Sequence, residues 1–229
     1  MPSTFDNFLA GLTQGFTPVI EAGFAFEDYV AIDLSEKNRE LPEEALSSSE
    51  AFENFLQHFL KKRSRKVAFG GYDEKRGLYQ RSVLFSEDNS APRNIHLGID
   101  IWAAAGTAVL AVLKGKLHSF RNNNNLGDYG PTIILEHELK GIKFYSLYGH
   151  LSRTSLEGLS VGQEFQKGQK IAVLGTAEEN GDYAPHLHFQ IIRDMGGKKG
   201  DFPGVCSEND RQSFLDNCPD PNLLLKLQV

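Results

Sequence analysis

The sequence predicts an α+β protein, mainly β, in which an antiparallel β-sheet or sandwich follows a mostly helical N-terminal segment. From position 96 onward, short apolar runs recur about every ten to fifteen residues, which is typical of successive strands. The residues between these runs are rich in glycine, asparagine and aspartate, which form tight turns. The first 64 residues show helical spacing instead. We therefore expect a helical segment at 1–64, a β domain at 65–199 and a loop-rich extension at 200–229.

Two amphipathic helices are predicted near the N-terminus. Each follows hydroxyl side chains that favour helix N-caps, Ser3 and Thr4 for the first and residues 47–49 for the second. The apolar side chains then recur at the spacing of one helix face. These positions are Phe5, Phe8, Leu9 and Leu12 in the first helix, and Phe52, Phe55, Leu56, Phe59 and Leu60 in the second. Between the helices, residues 29–34 favour a short strand.

The β domain is predicted to begin with a hairpin whose arms are residues 66–69 and 78–85, joined by a glycine-containing turn. Further strands are expected at 98–102, 108–113, 132–135, 142–148, 170–174 and 186–192. Strands at this spacing, separated by turn residues, favour an antiparallel sheet over alternating strand and helix units.

Charge and hydropathy exclude several classes of partner. The 24 basic and 30 acidic residues give a net charge of −6, so we expect no general attraction to nucleic acid or to an anionic membrane. The basic run at 61–66 is interpreted as cations at a helix C-terminus, where the macrodipole favours them. Since there is no apolar stretch of about 18 residues, no membrane span is expected. The N-terminus lacks the basic region of a secretory signal, which favours a cytoplasmic location unless the sequence was trimmed.

Two short motifs carry candidate metal ligands. In a strand, residues two apart project from the same face, so His186 and His188 should lie side by side. His96 and Asp100 add a nitrogen and an oxygen of the kinds that zinc accepts. Taken alone, the His-x-His pair is a moderate signal, because the alternative is a pair of solvated strand histidines, and the His-x-x-x-Asp spacing is a weak one that arises often by chance. Together, one carboxylate and two imidazoles form a three-ligand site with an open position, the pattern of hydrolytic zinc.

A further imidazole is available in the motif Tyr-Gly-His-Leu, at His150. An imidazole that binds no metal titrates near neutral pH and is suited to proton transfer. His150 and whichever of His186 and His188 does not bind metal are therefore candidate catalytic groups.

The remaining histidines and the two cysteines are interpreted as structural. His58 lies on the second predicted helix, and His118 and His137 lie near predicted strand ends, where solvated or packed side chains are expected. Cys206 and Cys218 are too few for a disulfide scaffold, so we interpret them as ordinary thiols or one optional disulfide.

Four segments, in order, resemble the lysostaphin-type (LytM-type) zinc metallopeptidases that cut peptide cross-links of bacterial cell walls. These segments are "NIHLGIDIWAAAGTAVLAVLKGKL", "DYGPTIILEH", "FYSLYGHL" and "GQEFQKGQKIAVLGTAEENGDYAPHLHFQII". The resemblance covers about residues 65–195. It implies the antiparallel fold called the duplicated hybrid motif, with a groove whose walls would include residues 122–129 and 177–185.

The same resemblance implies a role for each polar residue of the site. His96, Asp100 and His188 would hold one Zn²⁺ per chain, while His150 and His186 would be the unligated catalytic pair. The implied activity is that of a zinc-dependent metalloendopeptidase acting on peptides or peptidoglycan cross-links.

Two alternative functions remain open at this point. One is a zinc amide hydrolase that acts on a cytoplasmic peptide or metabolite with the same residues, because the segment 200–225 resembles relatives fused to kinase-like and aminotransferase domains. The other is a non-catalytic binding module, although such relatives typically lack the zinc ligands that are all present here. The N-terminal segment could also cover the groove, with Asn38 and Asn54 as candidate blocking ligands. The oligomeric state is left open.

Overall fold

The computed structural model describes residues 4–21, 23–77 and 92–228. Fourteen strands in three sheets and four short to medium α-helices make up the described part. The helices are α1 (Thr4–Ala10), α2 (Ser49–Arg63), α3 (Arg211–Asn217) and α4 (Asn222–Leu225). The strands are β1 (Ile20–Glu21), β2 (Tyr29–Ala31), β3 (Val67–Gly70), β4 (Glu74–Lys75), β5 (Arg93–His96), β6 (Ile99–Trp102), β7 (Ala108–Leu110), β8 (Gly115–Asn123), β9 (Gly130–Leu139), β10 (Ile142–Gly149), β11 (Glu164–Phe165), β12 (Lys170–Val173), β13 (His186–Ile192) and β14 (Val205–Ser207).

The largest sheet has eight strands in the order β11-β8-β9-β10-β13-β6-β3-β2. All its neighbouring strands are antiparallel except β2 and β3, which run parallel. The register places His188 opposite Asp100 on one side and opposite Gly149 on the other. Three widely separated pieces of sequence therefore meet at the centre of the sheet.

One face of the large sheet buries the main apolar core. Leu187 and Ile101, paired in register, both point into this core, as period-two alternation requires. The small sheet β1-β7-β12 packs against the same core, together with helices α1 and α4. Helices α1 and α4 are thus fixed against the β domain.

The opposite face of the large sheet is divided into three zones. At one end, Trp102 and Ala184 pack under Phe52 and Leu56 of α2. At the other end lies a second apolar cluster, to which β5 contributes Ile95 and the C-terminal segment contributes Phe202 and Cys206 of β14. The zone between these two clusters is polar and carries the candidate site.

Helix α2 forms where its sequence predicts a helix. The Ser48 side chain accepts a hydrogen bond from the Ala51 N–H and caps the first turn. The helix ends at Ser64 in the left-handed conformation, after Lys61, Lys62 and Arg63. The basic run therefore lies at a helix C-terminus, as expected. Its apolar side chains face the sheet through Phe52 and Leu56.

The predicted mainly β, antiparallel architecture is confirmed, and strands lie at each region predicted from 98 to 192. Helix α1 is shorter than expected and ends at Ala10. The N-terminal segment also supplies two strands to the β domain: β1 pairs with β7 in one sheet, and β2 pairs with β3 in another. The second arm of the predicted hairpin, residues 78–85, lies outside the described residues. Among those described, no helix is both long and apolar enough to span a membrane.

Candidate metal centre

Three donor atoms from two motifs converge at the centre of the polar zone. His96 Nε2 lies 2.9 Å from His188 Nδ1 and 3.2 Å from Asp100 Oδ1, and the last two atoms are 3.1 Å apart. Ligand atoms around a tetrahedral zinc ion are separated by roughly 3.3 Å, given zinc–ligand distances of about 2.0–2.1 Å. The triangle is therefore close to the size that zinc requires, and these three residues could together hold a metal ion.

Hydrogen bonds aim the lone pairs of both histidines into this triangle. His96 Nδ1 donates to the carbonyl of Gly71 at 2.8 Å, so Nε2 is the unprotonated nitrogen of the neutral ring. His188 Nε2 donates to Gln190 Oε1 at 2.9 Å, which leaves Nδ1 as the acceptor. The Gln190 amide is oriented by its own N–H bond to the Pro203 carbonyl. Such partners are what orients the imidazoles of metal sites.

Asp100 is held by a buried arginine. Arg76 Nη1 donates to Asp100 Oδ2 at 2.6 Å, and Arg76 Nε donates to Glu74 Oε2 at 2.6 Å. Burial raises the pKa of Asp100, but the charges of His96 and Arg76 outweigh burial and hold that pKa well below its usual range. Burial, and then the Arg76 charge, lower the pKa of His96 to about 4. Asp100 is therefore a carboxylate and His96 a neutral imidazole, the forms that bind metal.

Glycine is required between the two ligands of the first motif. A Cβ atom at Gly98 would lie 2.6 Å from His188 Cε1 and 2.8 Å from the carbonyl oxygen of Phe189. Any side chain at this position would thus displace the His188 ring. The glycine in His-Leu-Gly-Ile-Asp lets β6 approach β13 closely enough for the ligands to meet.

Two further imidazoles lie beside the triangle. His150 Nδ1 donates to the Asn180 carbonyl at 2.7 Å, and His186 Nδ1 donates to the Ala184 carbonyl at 2.8 Å. Both rings consequently keep Nε2 as a proton acceptor. Their ring centroids are 4.1 Å apart. Burial is the main cause that lowers the pKa of each, so both are neutral bases at pH 7.

A cavity of about 300 Å³ opens onto these residues. Its walls include Gly127, Asp128 and Tyr129 on one loop and Tyr183 and Ala184 on another, which fall within the two segments expected to wall the groove. Further walls come from Ser49 and Phe52 of α2, and from residues 198 and 201–205 of the C-terminal segment. Trp102 lies against His186 with ring centroids 5.7 Å apart.

All five residues singled out from the sequence meet at this cavity: His96, Asp100, His150, His186 and His188. The other histidines do not. His58 is exposed on α2, His118 is half-buried beside Ser119, and His137 is buried between Lys114 and Ser146. Cys206 and Cys218 are buried free thiols in the C-terminal apolar cluster.

Neither asparagine proposed as a blocking ligand lies at the cavity. Asn38 donates its amide to the Asp33 carbonyl, and Asn54 is exposed on α2. The N-terminal segment instead reaches the cavity through Ser49 and Phe52.

Sequence reasoning missed two residues that support the centre, Arg76 and Gln190, and predicted Tyr129 only as part of a groove wall. Gln190 had a usable signal, because the alternation that pairs His186 with His188 continues to position 190 on the same strand face. Tyr129 packs against His188 with ring centroids 5.0 Å apart. Arg76 lies in a charged turn with no pattern that distinguishes it from a solvated cation.

Comparison with known proteins finds a family model that matches the part of the chain carrying this site. Residues 94–201 match the family model of Peptidase family M23. The catalytic domain of the antimicrobial peptidase lysostaphin from Staphylococcus simulans is 27% identical, with a TM-score of 0.38, over 53% of this chain and 80% of that chain. No curated protein sequence matches the chain.

Two further solved structures are similar at lower identity. A variant of the catalytic domain of EnpA, a prophage-encoded M23 protein from Enterococcus faecalis, is 19% identical, with a TM-score of 0.37, over 52% of this chain and 85% of that chain. A putative M23 peptidase from Pseudomonas aeruginosa is 18% identical, with a TM-score of 0.40, over 78% of this chain and 62% of that chain. The assignment itself rests on the family-model match together with the motifs that carry the five polar residues. Residues 94–201 of this chain therefore match Peptidase family M23, and all five polar residues of the site lie within this match.

Proposed function

We propose that this protein is a zinc-dependent metalloendopeptidase that hydrolyses peptide bonds in peptidoglycan-derived or other peptides. One observation carries the proposal: three donor lone pairs converge beside two buried imidazoles whose Nε2 atoms are free to accept protons. The M23 family assignment supports peptidase chemistry at this place.

His96, Asp100 and His188 would bind one zinc ion through Nε2, Oδ1 and Nδ1. When bound, zinc supplies Lewis acidity, which polarises a carbonyl group and lowers the pKa of water toward about 7. Three protein ligands leave a coordination position for substrate or water, whereas structural zinc sites usually take four. Arg76 would keep Asp100 ionised and turned so that one oxygen faces the ion.

His150 and His186 would carry the protons of the reaction. In the first step, Nε2 of one imidazole accepts a proton as water adds to the peptide carbonyl. In the second step, the C–N bond breaks and that proton passes to the leaving amine nitrogen. Whichever of the two imidazoles holds that proton would also donate a hydrogen bond to the oxyanion of the tetrahedral species before it releases the proton. The geometry suits either imidazole in this role.

A second candidate function uses the same residues on a small amide. The cavity volume of about 300 Å³ favours this candidate, because it lies at the lower end of the range for small-molecule sites. A non-catalytic role is opposed by the complete set of potential ligands and proton acceptors.

The experiment that tests the proposal is mass spectrometry of soluble cell-wall peptides incubated with zinc-loaded protein, with and without a chelator. We expect chelator-sensitive cleavage at defined peptide bonds. Cleavage that persists after the zinc is removed would contradict the zinc mechanism. Intact peptides at one zinc per chain would contradict the peptidase assignment and favour the small amide instead.

A further inference from the structure

The candidate site is surrounded by a continuous rim of contacting chain segments. The first contact joins the N-terminal segment to the β domain: Ser49 Oγ, in the first turn of α2, donates to Asp182 Oδ1 at 2.8 Å. Phe52, one turn later, packs edge-on against Trp102 with ring centroids 6.0 Å apart. Helix α2 therefore closes the end of the cavity that lies next to His186.

The second and third contacts continue around the cavity. Tyr183 Oη donates to the Gly127 carbonyl at 2.9 Å, which ties the loop before β13 to the loop before β9. Tyr129, on that second loop, then abuts the C-terminal segment at Gly204. A Cβ atom at Gly204 would lie only 1.9 Å from the Tyr129 hydroxyl oxygen. The rim is thus packed to backbone contact at this point.

The last contacts return to α2. Arg93 Nη2 donates to the Val205 carbonyl at 3.4 Å, and β5, which Arg93 begins, pairs with both β14 and β4. Glu74 of β4 accepts a hydrogen bond from the Leu34 N–H at 2.9 Å. Leu34 belongs to the same apolar cluster as Phe52 of α2. Glu74 and Leu34 do not line the cavity themselves, but they join the segment near Arg93 to α2, so each described segment contacts the next.

Much of this rim comes from outside the family domain. Helix α2, Leu34 and Glu74 precede residue 94, and the segment 202–205 follows residue 201. The M23 domain would supply the ligands and proton acceptors, whereas its flanks supply the enclosure. Enclosure is also visible in the five polar side chains of the site, which are each only 1–5% exposed.

A closed rim restricts how a polypeptide can reach the scissile position. An extended chain advances about 3.3 Å per residue, so a strand cut in its middle must leave the cavity in two directions. That requires a groove open at both ends, and here α2 and the C-terminal segment stand at the two ends. We propose that the site accepts a short peptide or a free chain end, and not the middle of a long strand fixed in intact cell wall. This inference rests on the proposed peptidase function and narrows its substrate class.

The test compares two zinc-binding probes of different length on zinc-loaded protein. The short probe is a phosphinic tetrapeptide, in which a phosphinate replaces the central peptide bond. The long probe carries the same unit between glycine-serine tails with blocked ends. Calorimetry measures binding without any need for turnover. We expect the short probe to bind at least about tenfold more tightly, a difference of about 1.4 kcal/mol.

Equal affinity for the two probes would overturn the inference, and so would failure of both probes to bind. Neither result depends on cleavage, so the peptide digestion described above tests the peptidase function separately.

Ser49→Ala tests the α2 contact, because it removes the hydrogen bond to Asp182. We expect it to strengthen binding of the long probe. Ser47→Ala, which removes an exposed hydroxyl that donates to the Glu44 carbonyl, should leave that binding unchanged. If the two variants bind the long probe with equal affinity, α2 does not restrict access to the cavity.

Discussion

Nη1 of Arg76 donates to Oδ2 of Asp100 at 2.6 Å, which leaves Oδ1 as the carboxylate oxygen that faces His96 and His188. Arg76 is itself 1% exposed and is held by Glu74, whose other oxygen accepts the Leu34 N–H. The charges of His96 and Arg76 both lower the pKa of Asp100, and of these two groups the guanidinium keeps its charge at neutral pH. Arg76 is therefore a positioning residue for the candidate metal centre.

Replacing this arginine should weaken metal binding. In Arg76→Gln the Asp100 carboxylate loses both its fixed orientation and its compensating charge, and we expect zinc affinity to fall about 10–100-fold. Arg76→Lys keeps the positive charge but lacks the planar guanidinium, so its zinc affinity should lie between those of Arg76→Gln and the unmodified protein. Competition with a chromogenic chelator gives the dissociation constants.

The control for this prediction is Arg121→Gln, which makes the same charge change at an exposed position on β8. It should bind zinc like the unmodified protein. Because a buried arginine is removed, circular dichroism must first show that Arg76→Gln is folded. Unaltered zinc affinity in a folded Arg76→Gln protein would refute the positioning role.

His188→Ala should lose the metal. This substitution removes Nδ1, one of three converging donor atoms, and two remaining protein ligands fall short of the number found at zinc sites. Metal analysis after dialysis should find well below one zinc per chain. His118→Ala, at a half-buried histidine away from the cavity, should retain it. Stoichiometric zinc in His188→Ala would show that the ligand assignment is wrong.

His150→Asn should keep zinc but lose turnover. Asparagine is the suitable replacement because His150 has a φ of 62°, a left-handed conformation that asparagine tolerates better than alanine. Loss of a general acid–base group should lower kcat by about 10²–10⁴-fold. Peptide cleavage rates measured at equal zinc content test this. Turnover near that of the unmodified protein would exclude His150 from the mechanism.

The convergence of the five polar residues was predictable from the sequence because its signals are local. The alternation of His186 and His188 specifies a shared strand face, and the glycine at 98 marks a close approach between strands. Strand pairing then brings the two motifs together, since the antiparallel register places His188 directly opposite Asp100. The roles assigned to these side chains stay predictions until the variants above are measured.

Other features had no local signal. Strand β8 was missed because lysine and histidine alternate with its apolar positions and a bulge between Leu117 and Ser119 shifts the period of two. The contact of Ser49 with Asp182 joins residues 133 positions apart, so only the folded chain reveals that α2 borders the cavity. Domain boundaries drawn from composition likewise cannot show that β2 joins the sheet of the β domain.

A buried histidine away from the centre should make stability depend on pH. His137 is fully buried between the Lys114 carbonyl and the Ser146 hydroxyl, and burial lowers its pKa to about 4 from an unfolded value of 6.5. At pH values between 4 and 6.5, His137 is protonated in the unfolded chain but not in the folded chain. The free energy of unfolding therefore falls as the pH drops from 6.5 toward 4. The loss from this residue is about 3 kcal/mol at most and is absent above pH 6.5. Urea unfolding at pH 7 and pH 4.5 should show a smaller pH-dependent loss in His137→Gln than in the unmodified protein. The same loss in both proteins would mean that His137 does not contribute to acid destabilisation.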